Sequence, residues 1–247
     1  MNFTRRKSIK TIFGSLFLLS SAELFAREYR LNLKSKATVK VINAGKGGNN
    51  TVDLLKRLET DCLSHHPDLV IIMVGTNDAL NSLKPVSEKD YETNLNALVK
   101  KINQAGSKVL LLTIPPVYEP YLLLRHPASF YGSEGPKAKR NKINEIIKSV
   151  STANHSFFLD IGGFIDKIGN VGMDKDSLIR NVLNSNNKDG VHPTATGYRF
   201  IALSIFNFIS LQKQVFNNIV CYGDSITFGD CSIDKESYPS YLKKLLD

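Results

Sequence analysis

Between residues 39 and 222 the chain alternates short apolar runs with longer amphipathic stretches, and this alternation limits the possible folds more than any other feature. Leu69-Val70-Ile71-Ile72-Met73-Val74 is apolar throughout, as expected of a strand covered on both faces of a parallel sheet. Val39–Ala44, Val109–Leu112, Phe157–Asp160 and Ile219–Tyr222 read as further strands. The spacing between them predicts a helix over Thr51–Ser64, with Leu54, Leu55, Leu58 and Cys62 on one face, and others over Glu88–Ala105, Lys137–Ala153 and Thr194–Leu211. Shorter helices are expected near Asp176–Leu183 and over Tyr238–Leu246, and the proline-rich stretch 115–136 reads as a long loop. Strands alternating with helices of this length specify an α/β fold, a three-layer α/β/α sandwich around a five-stranded parallel sheet.

The bulk properties narrow the function. With 42% hydrophobic and 22% charged residues in 247, the composition is that of a globular protein with a full core. The first 26 residues read as an export signal: Arg5, Arg6, Lys7 and Lys10 precede an apolar run from Thr11 to Leu19, then small residues through Ala22 and Ala26. The paired arginines resemble a twin-arginine signal. The run is too short for the ~20 apolar residues of a spanning helix, so no stable membrane anchor is expected. Removing Arg5, Arg6, Lys7, Lys10 and Glu23 takes away three net charges, lowering +9 to +6. The remaining basic residues are scattered, which argues against a nucleic-acid partner. Residues 27–247 are then expected to form one domain, periplasmic or secreted. Cys62, Cys221 and Cys231 have no CxxC spacing, and no His-carboxylate cluster suggests a metal, so neither metal nor cofactor is expected.

Four polar motifs follow the strands. Asn43-Ala44-Gly45-Lys46-Gly47-Gly48-Asn49-Asn50-Thr51 can expose backbone N–H groups to an anion or simply cap the next helix. It fits neither the dinucleotide nor the phosphate-loop pattern. Asn77 in Gly75-Thr76-Asn77-Asp78 can cap a turn or donate its amide to an oxyanion. Asp189 and His192, three residues apart before a helix, can place a carboxylate on one imidazole nitrogen and leave the other for a nucleophile. His65, His66, His126 and His155 are assigned no chemistry. Ser225 sits in Gly223-Asp224-Ser225-Ile226-Thr227, directly behind an apolar strand, but Thr227 rules out the Gly-x-Ser-x-Gly elbow.

Together these blocks resemble the signature blocks of the SGNH hydrolase superfamily, the GDSL esterases and lipases. The resemblance implies a flavodoxin-like sandwich with Ser225 as nucleophile, His192 as general base and acid, and Asp189 orienting it. It also implies an oxyanion hole from the backbone N–H groups of Ser225 and Gly48 and the side chain of Asn77. Family members begin with the serine block, whereas here it comes last, which resembles a circular permutation with the join at Gln212–Asn218. The serine strand is then expected between the strand ending at Ala44 and the one ending at Val74.

The resemblance implies a serine esterase acting through an acyl-enzyme on small acyl esters, with O-acetyl groups on saccharides the expected substrate. The alternatives are a lysophospholipase or thioesterase with an acyl groove lined by Tyr118, Tyr121, Leu122, Leu123 and Leu124, and a non-catalytic carbohydrate-binding protein. Substrate-binding residues and oligomeric state are not specified by the sequence.

Overall fold

Five strands, β1 (Lys40–Gly45), β2 (Leu69–Met73), β3 (Lys108–Leu112), β4 (Phe157–Leu159) and β5 (Asn218–Gly223), form one parallel sheet in the order β1-β5-β2-β3-β4. The computed structural model describes residues 38–169, 171–229 and 237–247, so the expected signal over residues 1–26 and Cys231 lie outside the described residues. The last strand of the chain thus lies between the first and second, as the family resemblance implies, with Asn43 level with Cys221 and Ile71 level with Cys221 on the other side.

The helices are α1 (Thr51–Asp61), α2 (Thr76–Leu80), α3 (Glu88–Gln104), α4 (Glu119–Leu122), α5 (Gly135–Ala153), α6 (Ile161–Ile168), α7 (Val182–Ser185), α8 (Ala195–Ser210), α9 (Ser225–Phe228) and α10 (Tyr238–Leu246). Strand residues alternate between two cores. Val70, Ile72, Val109, Leu111, Val220 and Tyr222 face α1, α3 and α5, packing on Leu54, Leu58, Leu95, Val99 and Ile147. Ile71, Met73, Leu110, Leu112, Ile219 and Cys221 face α6, α8 and α10, packing on Ile165, Ile201, Ile205 and Leu242. Burying each such aliphatic side chain contributes about 1.5–3 kcal/mol. This is why β2 and β5 carry no charged or amide side chain between Ile219 and Tyr222 or along Leu69–Met73.

Three expectations need correction. The segment 176–183 is not one helix: Ile179 forms an isolated antiparallel bridge with Pro193, and α7 begins only at Val182. The cause is local side-chain bonding. Ser177 Oγ accepts the Ile179 N–H at 3.2 Å, and the Asn181 side chain accepts from Leu183 and Asn184 at 2.8 and 3.0 Å, which starts a helix there rather than continuing one. Within the expected loop 115–136, α4 and a 3-10 turn over Ala128–Tyr131 form. Tyr131 anchors this segment, its hydroxyl donating to Leu80 O at 2.8 Å. The helix expected to reach Ser64 stops at Asp61 and passes into a 3-10 turn over Leu63–His65.

The entry to β5 is fixed by polar bonds. Asp68 Oδ2 accepts the Asn217 and Asn218 N–H groups at 2.9 and 3.0 Å, and Asn218 Nδ2 donates to His65 O at 2.6 Å. These set the register that leaves Gly223 at the sheet's carboxyl edge, where ligands of open α/β sheets bind.

Candidate active site

β5 ends at Gly223, where Asp224 caps α9 by accepting the Ile226 N–H at 2.9 Å, and Ser225 opens that helix. Any side chain at Gly223 would run into Thr227 and the Met73 carbonyl, so the turn can be this tight only with glycine. The first N–H of a helix has no intrahelical acceptor, which leaves the Ser225 N–H available beside its own hydroxyl.

His192 and Asp189 come from the segment between α7 and α8. The backbone there is held as a small ladder: Gly190 N donates to Arg180 O, Arg180 N to His192 O and Thr194 N to Leu178 O, at 2.8–3.0 Å. Asp189 Oδ1 accepts the Val191 and His192 N–H groups at 2.8 and 2.7 Å, and Oδ2 lies 2.8 Å from His192 Nδ1. His192 Nε2 lies 2.9 Å from Ser225 Oγ. Three residues from two distant parts of the chain are thus joined in one hydrogen-bonded line. A carboxylate facing Nδ1 assigns the imidazole proton to that nitrogen and leaves Nε2 to accept from the serine hydroxyl. Burial of Asp189 by itself favours its neutral form, but His192 and the two backbone N–H groups outweigh it and hold the carboxyl well below the usual range. A charged acceptor at this position can stabilise an imidazolium.

The remaining predicted residues lie around the same strand ends. Asn77, in α2 directly behind β2, lines a cavity of about 140 Å³ together with Thr76, Leu80, Asn81, Leu122, Arg125, His126, Val191, His192 and Ser225. Its Oδ1 accepts from Asn81 Nδ2 at 3.2 Å, and its Nδ2 donates to Asn49 O at 2.9 Å. These bonds orient the amide and use one of its two protons, leaving the other for a ligand. Gly48, next to Asn49, has φ +71, and a side chain there would meet open space; the conformation, not crowding, requires glycine. Among the described residues the Gly48 N–H donates to no group. Gly48 is not among the residues that line the cavity itself. Its loop is tied to β5 through Lys46 N, which donates to Gly223 O at 3.1 Å.

Two supports were not apparent in the sequence. Arg57 of α1 donates from Nε to Asn49 Oδ1 at 2.7 Å, from Nη1 to Ala44 O at 2.9 Å and from Nη2 to Gly223 O at 2.8 Å. Buried Asp78 accepts the Thr51 N–H at 2.9 Å and its hydroxyl at 2.5 Å, fastening the start of α1 to α2. The groove expected along Tyr118, Tyr121 and Leu122–Leu124 does not assemble as one wall. Only Leu122 lines the cavity, Tyr121 is buried with its hydroxyl 2.9 Å from Met173 Sδ, and Leu123 and Leu124 are exposed. Cys62 and Cys221 are buried free thiols, and burial pushes the Cys62 thiol up to about 12, so it stays protonated.

A model of the GDSL-like Lipase/Acylhydrolase family matches residues 20–200. The chain is 32% identical over 131 residues to the uncharacterized lipoprotein YqeF of Bacillus subtilis (strain 168), covering 49% of this chain and 54% of that protein. It is 24% identical over 183 residues to an acetylxylan esterase of Geobacillus stearothermophilus, covering 70% and 74%. Among solved structures, an acetyl xylan esterase, AlAXEase, superposes with a TM-score of 0.53 at 26% identity over 67% of this chain and 78% of that one. The chain therefore spans about half the length of the first of these relatives and about three quarters of the second.

Proposed function

The chain belongs to the GDSL-like lipase/acylhydrolase family, within the SGNH hydrolases, and is a carboxylic ester hydrolase; from that premise we propose that Ser225, His192 and Asp189 cleave small acyl esters through an acyl-enzyme. The observation that carries the proposal is the line of hydrogen bonds Asp189–His192–Ser225, at 2.8 and 2.9 Å. Ser225 Oγ attacks the carbonyl carbon while its proton passes to His192 Nε2. The oxyanion is met by the N–H groups of Ser225 and Gly48 and the free amide proton of Asn77. The bond to the alcohol then breaks as His192 returns the proton to the leaving oxygen. Water, deprotonated by the same nitrogen, releases the acid and restores Ser225.

The acyl group is proposed to be short, acetyl above all. A cavity of about 140 Å³ lies below the ~300–1,000 Å³ of ordinary ligand pockets, and its apolar part is confined to Leu80, Leu122 and Val191. Similarity to acetylxylan esterases supports O-acetylated saccharides as the substrate. Relative kcat/KM across 4-nitrophenyl esters from acetyl to decanoyl tests this: a steep fall with chain length is expected, and a maximum at long chains would instead indicate a lysophospholipase or thioesterase. A fluorophosphonate should label Ser225. An unlabelled protein would favour a binding role on the same fold.

Export is proposed on two grounds: the basic and apolar character of the first 26 residues, and a lipoprotein among the relatives. Among the described residues no helix is long and apolar enough to cross a membrane.

A further inference from the structure

Two hydrogen-bond donors line the same cavity as Ser225 and His192 and take no part in the proposed acyl transfer: Arg125 and His126. They follow α4, which is anchored by buried Tyr121 and Leu122. His126 Nδ1 accepts the Ser82 backbone N–H at 3.3 Å and lies 2.9 Å from Ser82 Oγ. A backbone N–H can only donate, so Nδ1 is the acceptor and the neutral ring carries its proton on Nε2. Burial, and then the charge of Arg125, lower the His126 pKa and keep the ring in that neutral form.

Arg125 donates from Nη2 to Asp189 O at 2.7 Å, which holds its guanidinium at the cavity without neutralising it. No carboxylate among the described residues forms an ion pair with it. These two side chains thus bring a guanidinium and an imidazole N–H, both donors, to the cavity that Ser225 also lines. Sugar hydroxyls are both donors and acceptors and need no such one-sided wall. An anion does, and a planar guanidinium suits carboxylate and phosphate oxygens.

We propose that Arg125 and His126 form an anion subsite, and that the preferred ester carries a carboxylate or phosphate close to its scissile bond. The proposal rests on the reading of Ser225 as nucleophile and names the part of the substrate that this reading leaves open.

The test compares matched neutral and anionic acetates by released acetate. One pair is a mono-O-acetylated methyl glucoside and the corresponding methyl glucuronoside; the other is 1-O-acetylglycerol and 1-O-acetylglycerol 3-phosphate. A charge-assisted hydrogen bond predicts a kcat/KM ratio of about tenfold or more in favour of the anion in at least one pair. The pair that shows it identifies carboxylate or phosphate as the group recognised. Arg125→Gln should bring that ratio close to one, Arg125→Lys should keep part of it, and His126→Phe should lower it severalfold. Any loss transmitted through Asp189 affects both members of a pair and cancels in the ratio. A wild-type ratio near one in both pairs, or a preference that survives Arg125→Gln, overturns the proposal. Activity retained by Ser225→Ala would overturn the nucleophile assignment alone, because the ratio and its response to Arg125→Gln still test the subsite.

Discussion

Arg57 Nη2 donates to the carbonyl of Gly223, 2.8 Å away and two residues before Ser225, although 166 residues separate the two in the chain. The same guanidinium holds Ala44 O and the Asn49 side chain and lies over the Tyr222 ring, 4.5 Å from its centroid. One side chain therefore sets the spacing between the glycine loop and the serine turn. Arg57→Ala should destabilise the fold by about 2–3 kcal/mol, measured by urea unfolding. It should also lower kcat more than it raises KM, because the proposed Gly48 and Ser225 donors are no longer held at a fixed separation. A variant with unchanged kcat at a lower midpoint would mean that Arg57 supports the sheet only.

Asn77 is proposed to be both a structural tie and an oxyanion donor, and one substitution separates the two. Asn77→Ala removes the bond to Asn49 O, which should cost about 1 kcal/mol of stability. If its second amide proton meets the oxyanion, kcat on 4-nitrophenyl acetate should fall by about 10²–10³. A fall of less than about fivefold would leave it as a tie alone.

Asp224 should make the protein less stable as pH rises through neutrality. Complete burial, reinforced by the charge of Asp78 and opposed by the Ile226 N–H and His192, pushes its carboxyl up to about 7 from an ordinary 3.8. A carboxyl raised in this way binds more protons folded than unfolded between those two values, so unfolding free energy falls from about pH 4 to about pH 7. Asp78, raised by burial, acts in the same direction. Asp189 is depressed and acts oppositely: its contribution is present above about pH 4 and lost below. Stability is expected to peak near pH 4–5. Asp224→Asn keeps the cap to Ile226 and should flatten the fall toward neutral pH. Parallel pH profiles for the variant and wild type would rule this out.

The order of the chain is proposed to be a circular permutation of the family's. Counted from β5 as the first strand, the sheet reads 2-1-3-4-5, the flavodoxin-like order, and the family match at residues 20–200 ends before β5. Until β5 docks, β1 and β2 have no partner on their facing edges. A rearranged variant with residues 212–247 placed ahead of residue 39 should refold severalfold faster at similar stability, read by stopped-flow fluorescence. Equal rates would remove the kinetic cost assigned to this order.

What was legible in the sequence follows the range of the forces involved. The strands were visible because burial on both faces demands unbroken apolar runs, and α10 forms over Tyr238–Leu246 as expected, with Ser237 as its cap and Pro239 in its first turn. Asp189, His192 and Ser225 were visible because each sits in a compact block behind a strand or before a helix. Arg57 was not, because its acceptors are backbone carbonyls of Ala44 and Gly223, and any residue supplies a carbonyl. His126 was not legible either, because its partner is Ser82, 44 positions earlier. The helix expected near Asp176 failed because Ser177 and Asn181 bond to their own backbone more strongly than helical periodicity could indicate.

Placing β5 between β1 and β2 also divides the proposed machinery between two separable lengths of chain. Residues 38–211 hold Gly48, Asn77, Asp189 and His192 around a vacant slot in the sheet, and residues 212–247 bring the strand and serine that fill it. Lys213, Gln214 and Val215, between α8 and β5, are exposed. Neither length alone has a complete line from Asp189 to Ser225, so on the proposed mechanism ester cleavage requires both.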